Sequence, residues 1–216
     1  FLGLFYVCAI ILFPWYAPPW MVLAALVCAL TFDHLATRAV ATRFSWLPSV
    51  VRIGCVLAVA IQATLLVATA WQMRVQQRII EHGVRQSIGL WLRANAQPTD
   101  SVLMEPLGYI GYYSRLKTYD FPGLSSPEVV AVIRSGVRRY ADLIAQLRPT
   151  WLVLRPSEIA ADFAQRPVLR DYHLVKSWDV LGELDAVPYL PGRKWVEWDT
   201  RFHVYQYRPA AEVAPR

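Results

Sequence analysis

Cysteine is scarce: three of 216 residues, Cys8, Cys28 and Cys55, all in strongly apolar stretches. The rest of the chain has none, which excludes a disulfide framework or a cysteine-based metal site there. Histidine is thin as well. His34, His82, His173 and His203 are scattered without ligand spacing, so no metal site and no cofactor are expected in this chain. Charge is nearly missing from the first third. Residues 1–71 carry only Asp33, Arg38, Arg43 and Arg52, leaving 19 of the 22 basic and 15 of the 16 acidic residues to 72–216, a net charge there of +4. A disordered chain is excluded by the 56% hydrophobic content and the mean hydropathy of +0.30. There is no G-x-S-x-G nucleophile motif, and the arginines form no basic stripe with base-stacking spacing, so neither hydrolase chemistry nor nucleic acid is expected.

What remains divides in two. Residues 1–13 are entirely apolar but too short to cross a bilayer, and begin at Phe1 without an initiator methionine. This predicts a fragment or processed product that opens on the tail of a membrane helix. Pro14, Pro18 and Pro19 break the backbone among Trp15, Tyr16 and Trp20, rings suited to the headgroup level. A second apolar run follows from Pro19 to about Phe32, then a short connection through Arg38 and Arg43. The third, Val50 to Trp71, is the clearest span, with Arg52 at its entry where it can snorkel. Ala68-Thr69-Ala70 mimics a signal-peptide cleavage site. Two apolar segments precede it and no basic leader is visible, which favours an anchor. The expected organisation is transmembrane helices over 1–71 (three spans, the first truncated), a juxtamembrane amphipathic helix over 72–97, an α/β domain with a small mixed sheet over 98–210, and a tail, 211–216.

Within 72–97, Val75, Ile79, Ile80, Val84, Ile88, Trp91 and Leu92 recur at three- and four-residue steps, the period of an amphipathic helix. Arg74, Arg78 and Arg85, four and seven residues apart, share one face and are candidates for lipid headgroups. Ser101–Glu105 and Lys117–Asp120 read as short strands around an aromatic turn held by Gly108 and Gly111. Ser125 and Glu128 have capping-box spacing, or Ser126 is the N-cap with Pro127 at N1. A helix over 137–148 stops at Pro149, Trp151–Leu154 is a buried strand, and Tyr172–Trp178 and Lys194–Tyr207 are later strands with a break near Asp199-Thr200. Strands alternating with helices predict an α/β sandwich.

Some of these residues resemble a known group. Phe13-Pro14-Trp15-Tyr16, the run Gly108-Tyr109-Ile110-Gly111-Tyr112-Tyr113-Ser114, the loop from Tyr119-Asp120-Phe121-Pro122-Gly123-Leu124 to Glu128, and Arg148-Pro149-Thr150-Trp151-Leu152-Val153-Leu154 are similar to the late membrane region and C-terminal extracytoplasmic domain of bacterial GT-C type glycosyltransferases, the protein mannosyltransferase-like and lipid A aminoarabinose transferase-like enzymes. The resemblance covers about residues 13–30 and 95–155. It implies an inner-membrane protein that moves a sugar from a polyprenyl-phosphate carrier to a cell-envelope acceptor. It also implies an acidic catalytic residue in an early outer loop, which no position here matches, so no catalytic residue is carried over. Charge counts on the two sides of Val50–Trp71 tie. The resemblance breaks the tie and implies that 72–216 lies outside the cytoplasm.

Tyr109, Tyr112 and Tyr113 are candidates for stacking on a sugar ring, although aromatic residues beside a turn more often pack on a neighbouring helix. Asp120 and Glu128, with Glu105, are candidate acid–base carboxylates, but loop bonding and helix capping are the stronger expectation for them. The alternative to a transferase fragment is a non-catalytic anchored domain that binds an envelope partner or stabilises a membrane complex.

Overall fold

A computed structural model describes residues 47–137, 139–160 and 167–208, with scattered positions between 22 and 34. The helix tail expected over 1–13 and the Pro14–Pro19 turn lie outside the described residues. The chain divides into two compact units, Phe1–Val67 and Ala68–Arg216.

The described residues hold one helix long and apolar enough to cross a membrane, not the three spans expected. The described positions between 22 and 34 are helical but form no second qualifying helix, and most of the fold is α/β. A span needs about 20 residues of apolar helix. Helix α1 (Leu47–Gln76) meets that condition, and its apolar stretch is unburied. Val59, Leu66 and Val67 are each more than two-thirds exposed.

The second unit begins inside that helix, at Ala68, and continues through a π-helical stretch (Gln77–Gln86) and α2 (Ser87–Asn95). Here the apolar residues are periodic and buried. Ile80, Val84, Ile88 and Leu92 recur every four residues, a spacing that drifts by about 40° per step in an α-helix. The wider turns of the π-helical stretch offset part of that drift, so all four reach one core with Val75 and Ile79.

Five strands form a mixed sheet in the order β2-β1-β3-β5-β4: β1 (Ser101–Met104), β2 (Lys117–Asp120), β3 (Trp151–Leu154), β4 (Tyr172–Asp179) and β5 (Arg201–Tyr207). β1 is parallel to both β2 and β3, whereas β5 is antiparallel to β3 and β4. Side-chain alternation splits the central strands between two cores. Val102, Met104, Trp151, Val153, Phe202 and Val204 face the π-helical stretch and α2. Leu103, Leu152 and Leu154 face the opposite layer. Burial on both faces explains the unbroken apolar run in β3.

Two local expectations change. The aromatic turn is a helix, α3 (Leu107–Ser114), because Ile110 and Ser114 form a buried stripe against α2. Gly89 permits that approach, since a Cβ there would lie 2.7 Å from the Tyr113 Cβ. The front of the expected 194–207 strand is also a short helix. Residues 193–197 (Arg193–Glu197) bury only Val196, and the strand begins at Arg201, after the Asp199-Thr200 break. On the far face, α4 (Pro127–Arg134) and α5 (Tyr140–Leu147) cover Leu103 and Leu152. α5 stops at Arg148, left-handed at φ 43°, just before Pro149.

Candidate functional site

The connections of the parallel strands define where a site can form. β1 leaves through α3 on one face, while β3 leaves through a segment whose Ile159, Val168 and Leu169 pack on the other. Open α/β sheets bind ligands outside the carboxyl ends of adjacent strands that diverge in this way. Here Glu105, the first residue after β1, and Arg155, the first after β3, meet across that crevice at 2.6 Å.

Arg155 is the hub. Its Nε donates to Asp199 Oδ1 at 2.7 Å and its Nη1 to Glu158 Oε1 at 2.8 Å, while its backbone N–H donates to Glu158 Oε2 at 2.6 Å. The other carboxylate oxygen of Asp199 accepts from Arg85 Nη2 at 2.7 Å, and Arg85 Nη1 reaches Glu81 at 2.6 Å. The Arg155 side chain is 5% exposed, with its guanidinium over the Phe202 ring. Burial opposes its charge, but Asp199, Glu158 and Glu105 more than offset that and raise its pKa. Four carboxylates therefore surround two guanidiniums, and every nitrogen of Arg155 is committed. The cluster ties the π-helical stretch to the ends of β1 and β3 and to the entry of β5. Its solvent-facing member is Glu105, with 44% of its side chain exposed.

Asp120, at the carboxyl end of β2, is buried. Its carboxylate accepts from the backbone N–H groups of Leu124 and Ser125, from Ser125 Oγ at 2.8 Å and from Ser126 Oγ at 2.6 Å. Burial alone pushes its pKa up, yet the bonds from Ser126, Ser125 and Leu124 together hold it below the usual carboxylate range. The loop they close contains Gly123 at φ +94°, where a Cβ would meet Val130 Cγ2 at 2.9 Å. Ser126 precedes Pro127 at N1 but makes no side-chain cap bond. Glu128 turns instead to an exposed ion pair with Lys117 Nζ, 2.7 Å.

The tyrosines interlock on α3. Tyr112 meets Tyr113 edge-on at 5.1 Å, Tyr113 lies 6.0 Å from Tyr109, and Tyr109 meets His82 edge-on at 5.5 Å. Tyr112 is 74% exposed and keeps a ring face open to solvent. Of the three arginines expected on one helix face, Arg74 and Arg78 are exposed, whereas Arg85 is drawn into the Arg155 cluster.

Glu105, Asp120 and Glu128 thus have three separate sets of partners. No group of three or more histidine, cysteine or acidic side chains with metal-holding geometry occurs among the described residues. Sequence reasoning missed Arg155, Glu158 and Asp199. The available signal was a charged residue directly following four apolar ones, Trp151–Leu154, at the end of a central strand.

Fold and site together define a class: an α/β domain with a mixed five-stranded sheet, entered through an apolar helix, whose strand-end crevice is bridged by an ion cluster. The chain belongs to the family described as a domain of unknown function (DUF8728), matched over residues 71–205. No curated protein and no solved structure matches it.

Proposed function

We propose that this domain is the accessory, non-catalytic part of a bacterial inner-membrane glycosyltransferase, one that moves a sugar from a polyprenyl-phosphate carrier to a cell-envelope acceptor. Helix α1 anchors the domain, which stands outside the cytoplasm and shapes access of carrier or acceptor. One observation carries the accessory role. The crevice where such a sheet takes a ligand is bridged by the Arg155–Glu105–Glu158–Asp199 cluster, whose charges are committed to one another. The other candidate carboxylates are engaged too, Asp120 in its loop and Glu128 with Lys117. The exposed face of Tyr112 remains suited to brief stacking on a sugar.

The transferase assignment rests on the resemblance of the 108–154 motifs. The anchored, complex-stabilising alternative is favoured by the same bridged crevice and differs only in what the domain serves. The test uses the full reading frame in membranes supplied with polyprenyl-phosphate sugars. Sugar transfer is expected there, is expected to persist in Glu105→Gln, and is expected to be absent from the 216-residue chain alone. A folded Glu105→Gln protein without turnover defeats the accessory role, and a full frame that transfers no sugar leaves the stabilising alternative.

A further inference from the structure

Residues 187–198 combine deep anchorage with unusual aromatic exposure. Val187, Leu190 and Val196 are buried in the core beside Val75 and Ile79. Between and beyond them Tyr189, Trp195 and Trp198 are 75%, 60% and 59% exposed. Trp195 and Trp198, three residues apart on one short helical turn, share a face.

The segment sits against the point where the apolar helical run ends. Trp71 Nε1 donates to the Tyr189 carbonyl at 2.9 Å, and a Cβ at Gly192 would lie 2.7 Å from the Gln72 side chain. Trp71 is itself exposed and is the last residue of the apolar stretch, and Arg74 begins the charged one. Arg74, Arg78 and Lys194 are exposed cations with no ion pair shown among the described residues, whereas Arg193 pairs with Asp185. Glu197 is the one acidic residue within 187–198.

We infer that this surface lies on the bilayer: Tyr189, Trp195 and Trp198 enter the boundary between headgroups and acyl chains, while Arg74 and Lys194 meet lipid phosphates. The inference rests on the reading that α1 crosses a membrane, and it adds a second contact made by the α/β domain itself. Three points favour lipid over a protein partner. The surface is continuous with Trp71 at the end of the apolar helix. Its residue types, amphipathic rings beside cations, are those enriched at membrane interfaces. Arg74 follows Trp71 by about 4.5 Å of helical rise, within the headgroup layer of a bilayer about 40–45 Å thick overall with a hydrocarbon core of about 30 Å. Trp198 and Lys194 also line an open groove of about 410 Å³, together with Glu197, Arg201, Pro156 and Ser157.

The experiment uses the whole chain with Cys8, Cys28 and Cys55 replaced by serine, one copy per nanodisc of phosphatidylcholine and phosphatidylglycerol. A nitroxide is attached at Glu197→Cys, with reporters at Ile61→Cys in α1 and Tyr112→Cys on α3. Accessibility to oxygen is compared with accessibility to a water-soluble nickel chelate. Oxygen preference is expected to be high at 61, intermediate at 197 and low at 112. Trp195→Ser with Trp198→Ser, both exposed and so compatible with folding, is expected to lower the value at 197 at least about twofold while leaving 61 and 112 unchanged. Oxygen preference at 61 but not at 197 overturns the inference and leaves the membrane helix standing. No preference at 61 overturns the membrane reading and the inference with it. Protection at 197 that appears only in discs holding two copies assigns the surface to self-association and also overturns the inference.

Discussion

Asp120, the last residue of β2, and Glu105, the first past β1, leave the sheet side by side, since Asp120 is paired in register with Met104. They are stabilised by different means. Asp120 accepts from hydroxyl and amide donors no more than six residues away. Glu105 depends on a guanidinium fifty residues away, itself shared with Asp199 and Glu158. A carboxylate satisfied by neutral local donors gains a loop conformation and a depressed pKa. A carboxylate satisfied by a buried arginine gains long-range connection, at the risk that losing one partner leaves charge unpaired. The loop is therefore a local device, and the ion cluster is the joint that holds separate elements together.

The largest expected effect breaks the joint. Arg155→Ala strands Glu158 and Asp199 as buried or half-buried anions and should cost about 3–5 kcal/mol, read from denaturant unfolding of the full chain. Replacing Arg155, Glu158 and Asp199 together by Met, Gln and Asn should recover much of that loss. No recovery would show that packing of the guanidinium on Phe202, not charge balance, holds the strand ends.

Next comes the loop backbone. Gly123→Val forces a β-branched residue to φ +94° and drives its Cβ into Val130, so a loss of about 3 kcal/mol is expected. Wild-type stability in this variant would mean that the loop adopts another conformation.

Asp120→Asn removes one anionic acceptor from a site of four donors and should cost about 1–3 kcal/mol at neutral pH. Its pH dependence sharpens the contrast with Arg155. Because the folded pKa lies below the ordinary value of about 3.9, this contribution is complete above that value and is lost as pH falls through the lowered one. The acid limb of a stability–pH profile should therefore flatten in Asp120→Asn. An unchanged limb would place the acid sensitivity elsewhere.

The smallest effect is expected at Glu128. Its pairing with Lys117 is about half exposed and it makes no N-cap bond for another residue, so Glu128→Gln should leave the unfolding midpoint unchanged and, on the proposed transferase reading, turnover as well. A folded but inactive Glu128→Gln protein would move the loop from support to active site.

The same contrast governs what was readable in advance. The Asp120 loop lies within a short stretch of chain, and its glycine, serines and proline advertise it. The capping pattern around Ser125 and Glu128 was misleading in detail. Ser126 bonds the Thr118 carbonyl and Asp120, and Glu128 finds a lysine eleven residues back. The turn reading of 108–113 failed because the burial of Ile110 and Ser114 against α2 favours a helix there, a contact that Gly89 of α2 permits and that the glycines at 108 and 111 do not reveal. Of the three spans expected, the described residues hold one qualifying helix, and the run over 1–13 lies outside them.

Sequence alone determined the division between an almost uncharged first third and an α/β remainder, the amphipathic period of 75–92, and the buried strands, since hydrophobic patterning and turn chemistry are short-range properties of the chain. Tertiary structure alone decided that Arg85 leaves the face of Arg74 and Arg78, that Arg155 gathers Glu105, Glu158 and Asp199, and that this cluster bridges the strand-end crevice. Those partners stand 44 to 114 residues apart apart from the Glu158 contact, and no local propensity encodes a pairing that exists only once the sheet has set the ends of β1 and β3 next to each other.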